Sequence, residues 1–194
     1  MVATVATYFD NQGVNGTPGN EDDTSGFSPV NIRFKTADDS LINASDPIPI
    51  PGGGPVYSFW KQIYMRVTGG TFTQINNVKF FTDGSNFGTG IITTVGDGVQ
   101  VNNSASQAGY VKALGTPGST GTEMVAGHSG VASKTDVFSF TSGSPRTVTI
   151  SEAGGILDAT GDRTDYLVVQ MEVQNTASPG DLADETWTFQ YDEI

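Results

Sequence analysis

The sequence contains no cysteine and a single histidine. Without thiols there is no disulfide, thiolate nucleophile, iron–sulfur cluster or cysteine zinc site. One imidazole leaves most zinc, copper and non-haem iron sites short of ligands. Basic residues are scarce as well: nine Lys and Arg stand against 21 Asp and Glu, a net charge of −12. Such a surface repels phosphate backbones and anionic lipid, so neither nucleic-acid nor membrane binding is expected. No run approaches the roughly 18 apolar residues of a membrane span. Met1 to Asp10 lacks the basic start and long apolar stretch of a signal peptide. A P-loop, a dinucleotide-binding glycine motif and an internal repeat are missing too.

What is present is polar but weakly charged. Charged residues make up 15% of the chain, so Thr, Ser, Asn, Gln and Gly must supply the polar surface, as they do in extracellular and virion-surface β proteins. A virion component made in the cytoplasm and released by lysis reconciles that composition with the lack of an export signal. The alternative is an exported protein stripped of its leader.

Period-two alternation is the main structural signal. In the run Val56 to Thr68, Ile63, Met65 and Val67 take one face and Gln62, Tyr64 and Arg66 the other, the pattern of a half-buried strand. Gly69-Gly70 then suits a tight turn, and Thr71 to Thr82 is expected to return as its hairpin partner. Leu167 to Val173 and Asp184 to Tyr191 alternate in the same way, joined by a long hairpin loop. Further strands are expected at 2–9, 27–36, 88–95, 98–101 and 107–114, with a hairpin from 136–141 and 146–151. Gly115 to Ser133 reads as an irregular excursion. No segment has a helical period. About nine or ten short strands, with Gly/Pro turns every 8–12 residues, predict an all-β fold: an antiparallel β-sandwich, immunoglobulin-like or jelly-roll, with long surface loops. Residues 1–26 are expected to form an N-terminal strand or arm with an acidic loop, and 27–194 a single sandwich domain. Pro47 to Pro55 carries four prolines in nine residues, which forbids a central strand and predicts an extended connector.

Few residues suggest chemistry. His128, in Ala126-Gly-His-Ser-Gly130, is read as an exposed loop histidine rather than the base of a triad, and no catalytic residue is expected. Asp158, Asp162 and Asp165 surround a glycine turn and could hold calcium through oxygen ligands; the competing reading is a solvated turn capped by Asp165. Asp10, Glu21, Asp22 and Asp23 are read as a solvated acidic loop. Tyr57, Trp60, Tyr64 and Trp187 could form a sugar-stacking platform but read more readily as core or interface. The sequons at Asn15, Asn43 and Asn102 are taken as chance.

Asp162-Arg-Thr-Asp-Tyr166, entering a long apolar strand, resembles the corner before strand F of immunoglobulin-like domains, where a tyrosine bonds back to the preceding turn. The acidic, cysteine-free, Gly/Thr/Asn-rich chain with long loops also resembles the β-sandwich decoration and auxiliary coat proteins of tailed phages. That resemblance implies a structural, non-enzymatic protein on the capsid surface. Its partners would be the major capsid protein, other virion subunits or its own copies, with no cofactor beyond possible calcium. Val2, Thr4, Val5, Tyr8 and Phe9 in the arm, with Ile48 and Ile50 in the connector, are the expected contacts, made by adding backbone to a neighbour's sheet. The alternatives are an extracellular filament or adhesion subunit and a carbohydrate-binding module.

Overall fold

The computed structural model describes residues 2–23, 32–39, 41, 44–97, 107–180 and 182–194. Twelve strands follow in order: β1 (Ala3–Asn11), β2 (Asn20–Asp23), β3 (Val56–Tyr57), β4 (Lys61–Gly70), β5 (Ile75–Thr82) and β6 (Ile91–Asp97), then β7 (Gly115–Thr116), β8 (Thr120–Gly121), β9 (Thr135–Asp136), β10 (Arg146–Thr147), β11 (Leu167–Val173) and β12 (Trp187–Glu193). A single helical turn, α1 (Met124–Gly127), and two 3₁₀ turns complete the described elements.

The strands form an all-β sandwich of unequal sheets. The large sheet has nine strands centred on β4 and β11, and the small one has three in the order β10-β5-β12. β4 pairs with β1 on one side and β11 on the other, and β11 pairs with β6 along its whole length. The apolar positions meet between the sheets. Phe9, Ile63, Met65, Val67, Leu167 and Val169 come from the large sheet; Ile75, Val78 and Phe80 come from β5.

Strand existence follows the alternation; strand pairing does not. β4 and β5 are not a hairpin, because β1 and β11 already fill both edges of β4. The chain crosses to the other sheet at Thr71–Gln74, where the amides of Thr73 and Gln74 donate to the Ile194 carbonyl. Gly70 is not a turn residue either. It lies opposite Ala3 with φ +100°, and a Cβ there would sit 2.3 Å from the Val2 carbonyl oxygen. β11 and β12 are likewise a crossover, since β4, β3 and β6 line the edges of β11. At 141–147 the chain does turn, with Thr141 bridging Ser144, but β10 then pairs with β5.

The N-terminal segment is no detachable arm. β1 runs against β4 from Ala3 opposite Gly70 to Asp10 opposite Gln62, and Phe9 is buried in the core. The acidic loop closes instead as a hairpin, with β2 pairing β1. No strand forms over 32–36 or 107–114. The expected strands at 27–31 and 98–101 lie outside the described residues.

The excursion has a function in the fold. Residues 115–133, with 107–114 before them, cover the outer face of the large sheet, so β4 and β11 are buried on both faces. Phe59, Trp60, Ala113, Met124, Val131 and Val168 form a second apolar cluster there. Gln62 and Tyr64, placed by alternation on a solvent face, are 1% and 0% exposed.

Candidate functional site

Burying that outer face takes most of the sequence's ionisable candidates out of solvent. Around His128, which is 3% exposed rather than a loop histidine in water, the hub is Gln62. Its Oε1 accepts from Val111 N at 3.0 Å, and its Nε2 donates to Val111 O at 3.0 Å. Trp60 Nε1 donates to the same carbonyl at 3.0 Å. Gly130 N donates to His128 Nδ1 at 3.1 Å, so the ring proton sits on Nε2 and donates to Gln62 Oε1 at 2.9 Å. Burial pushes the imidazole down to about 4. One strand over, Gln170 Nε2 donates to Ser58 O and Thr122 O, and its Oε1 accepts from Met124 N. These bonds tie the covering loop to the sheet.

The second cluster surrounds Asp10, which is 2% exposed. Its Oδ2 accepts from the Tyr166 hydroxyl and from Gln107 Nε2 at 2.8 Å, and Tyr64 OH lies 3.2 Å from Oδ1. Tyr64 OH also bonds Glu21, whose carboxylate Arg66 Nη1 holds at 2.9 and 3.0 Å, with Arg163 Nη1 at 3.5 Å. Burial raises Asp10 to about 6 against the pull of its phenol and amide donors. Burial first, and Asp10 second, push the Tyr64 and Tyr166 hydroxyls far up. Tyr166 is therefore no immunoglobulin corner: its hydroxyl crosses to β1 instead of returning to the preceding turn.

Lys61, the first residue of β4, is fully buried. Its Nζ donates to Asp39 O at 2.8 Å and lies over the Phe9 ring. Burial lowers it to about 8, opposed by Asp38 and Asp39. The calcium candidates do not converge. Asp162 Oδ2 accepts from the amides of Asp158 and Ala159 at 2.9 and 2.8 Å, and Asp165 binds Ser151 through N and Oγ. Asp158 is exposed. Among the described residues, no group of three or more His, Asp or Glu side chains is placed to hold a metal ion.

An accessible concavity lies elsewhere, beside the small sheet. A cleft of about 970 Å³ separates β12 from the large sheet. Trp187 and Phe189 form one wall, and Phe34, Met171, Val173 and the connector residues Ile48 and Ile50 form others. Of the expected contact residues, Ile48 and Ile50 reach this cleft; Val2 precedes β1, and the expected contacts within β1 other than Thr4 are half-buried or buried in the sandwich. Val2 is 73% exposed, Thr4 is exposed, Val5 packs on the core, and Tyr8 stacks on Tyr64 at 5.9 Å. Of the proposed sugar platform, Trp60 and Tyr64 are buried, while Trp187 stays half-buried with no acceptor among the described residues for its indole Nε1–H. Sequence reasoning found the aromatic face of β12 but not the cleft, whose walls come from segments far apart in the chain.

No family model matches the chain, and no curated protein or solved structure matches it significantly.

Proposed function

We propose that the chain is a structural protein of a virion, a decoration or auxiliary protein that binds coat subunits or its own copies and catalyses nothing. One observation carries the assembly part of this reading. The small sheet stops at β12, which pairs with β5 on one side and with no described strand on the other. A free sheet edge is a template for another chain's backbone. The acidic, weakly charged composition supports display on a particle, where it discourages non-specific association. The buried state of His128, Lys61 and Asp10, each engaged with neighbours, supports a scaffolding role for the groups that might otherwise react.

The test is co-sedimentation of the purified protein with undecorated capsids of a tailed phage that shares its host. Saturable attachment at a fixed ratio per capsomer is the expected result; no attachment at any ratio refutes the capsid reading. Removing residues 1–10 is a poor test, because Phe9 and Asp10 are built into the sandwich. An extracellular filament or adhesion subunit would use the same edge and would polymerise without capsids. A carbohydrate-binding module would rest on Trp187 alone, and glycan titration of its fluorescence would reveal it.

A further inference from the structure

The open edge and the cleft are parts of one feature. β12 pairs with β5 in antiparallel register, Phe189 opposite Phe80, and the two rings meet at 5.4 Å. Phe80 is fully buried, but Phe189, Trp187 and Tyr191 are only half-buried, although all three pack on the core. Among the described residues, no strand covers them on the side away from β5. The cleft occupies that place. Its floor includes Met171 and Val173 of the large sheet, and exposed Ile50 and Leu182 stand at its rim. The indole Nε1–H of Trp187, shielded from solvent, has no acceptor among the described residues, which a native site seldom leaves without reason.

The charge around β12 selects the occupant. Asp184 and Glu185 precede the strand, Asp192 and Glu193 end it, and no Lys or Arg occurs after Arg163. Partial burial first, and the neighbouring Asp83 next, push the Glu185 carboxyl up. Asp184 and Glu185 line the cleft together with exposed Arg33 and with Lys35, which pairs with Asp39, so with Asp192 and Glu193 the acids around β12 outnumber the bases. A second copy would bring the same acids to the same edge and be repelled.

We propose that the β12 edge and its cleft receive an extended segment of a basic partner protein as a fourth strand of the small sheet. The segment lies along about 23 Å of edge, seven residues at strand rise. Its backbone pairs with the outward amides and carbonyls of β12. Alternate apolar side chains enter the cleft between Trp187, Phe189 and Ile50, and flanking Lys or Arg meet Glu185 and Asp192. This rests on the assembly reading above and names the surface and the chemistry of its partner.

The test uses the full chain and a synthetic peptide probe: alternating Val and Thr over about seven residues, with two lysines at each end. Two control peptides carry glutamates for the lysines or a proline at the centre. Amide hydrogen exchange and tryptophan fluorescence are read up to millimolar peptide. The expected result is slowed exchange confined to residues 187–193 and a saturable fluorescence change. Affinity should fall about tenfold for the glutamate-flanked peptide and vanish for the proline peptide. The surface variant Asp184→Lys with Glu185→Lys should reverse the charge preference while melting as the wild type does. Unchanged exchange in β12, equal binding of all three peptides, or self-association protecting β12 in the absence of peptide each overturns the proposal. Capsid binding separates the two readings. Peptide binding without capsid attachment keeps this site and removes the virion role. Capsid attachment undiminished by the double lysine variant, with no peptide binding, does the reverse.

Discussion

Two polar clusters share the outer face of β4 and β11, and they hold their ionisable group in opposite ways. Around His128 the partners are the Gln62 amide and a backbone N–H, and burial keeps the imidazole neutral by expelling a proton. Around Asp10 the partners are two phenols and an amide, and burial favours the protonated acid. Both arrangements glue the covering loop and β1 to the sheet with little net charge. A chain with so few cations could not pair every buried acid with a base. It uses tyrosine and glutamine donors instead, and reserves Arg66 and Arg163 for Glu21. The difference between the clusters is one of sign, and proton linkage makes that sign measurable.

The largest effect should come from the hub of the His128 cluster. Gln62→Leu keeps the size of the side chain but leaves Val111 N and His128 Nε2–H without their acceptor. Unsatisfied buried groups in one network cost roughly 3–5 kcal/mol in all. Urea unfolding should show that loss with an unchanged slope. A loss under about 1 kcal/mol would mean that the cluster is not glue.

Titration is the next largest effect. His128 falls from 6.5 to about 4 on folding, so its contribution is present above 6.5 and is lost as pH falls through that window. Asp10 rises from 3.8 to about 6, so its contribution is full below 3.8 and is lost as pH rises through 6. Each is worth about 3 kcal/mol across its window, and in the wild type they oppose each other between pH 4 and 6. Asp10→Asn should therefore lose about 3 kcal/mol more than the wild type on acidification from pH 6.5 to 4. His128→Gln should gain a similar amount relative to the wild type over the same range. Melting curves at four or so pH values decide it; parallel profiles for all three proteins would sink the opposition.

A smaller effect tests the coupling inside the Asp10 cluster. Tyr166→Phe removes a donor to the carboxylate and should cost about 1–2 kcal/mol at pH 7. It should cost less at pH 4.5, where Asp10 carries its own proton. A pH-independent cost would show that Tyr166 contributes through packing against Tyr64 and not through its hydroxyl.

Legibility in the sequence follows the physics of each signal. Alternation exposes which residues share a face, so β1, β4, β5, β11 and β12 could be read from Phe9, Met65, Phe80, Val169 and Phe189. It does not say which edge meets which, and two of the three expected hairpins proved to be crossovers between sheets. Pairing depends on edges already filled: β4 had none left for β5. Nor does alternation say whether a polar face is wet. Gln62, Tyr64 and Gln170 look outward by sequence, but residues 107–134, whose covering role leaves no period, bury Gln62 and Gln170, and Tyr8, Asp10, Glu21 and Tyr110 close over Tyr64. The lone histidine was misplaced for the same reason. Of the cleft, Ile48 and Ile50 were legible as apolar residues in a proline-held connector, but their approach to Trp187 was not.

The cleft should respond least of all to substitution, and that sets it against both clusters. Leu182 and Ile50 are 38% and 39% exposed and line the cleft without closing it. Replacing either by Ser removes apolar area that water already reaches, so stability should change by under about 0.5 kcal/mol. A polar replacement in a completed core would instead cost several kcal/mol. Thermal melts of Leu182→Ser and Ile50→Ser beside Gln62→Leu make the contrast direct. If the two rim variants destabilise as much as the hub variant does, the cleft is already a closed part of the isolated fold, and its open state is lost as a premise. If they are silent in the melt yet weaken binding of the lysine-flanked peptide, the apolar surface is held in reserve for a partner, as β12 requires.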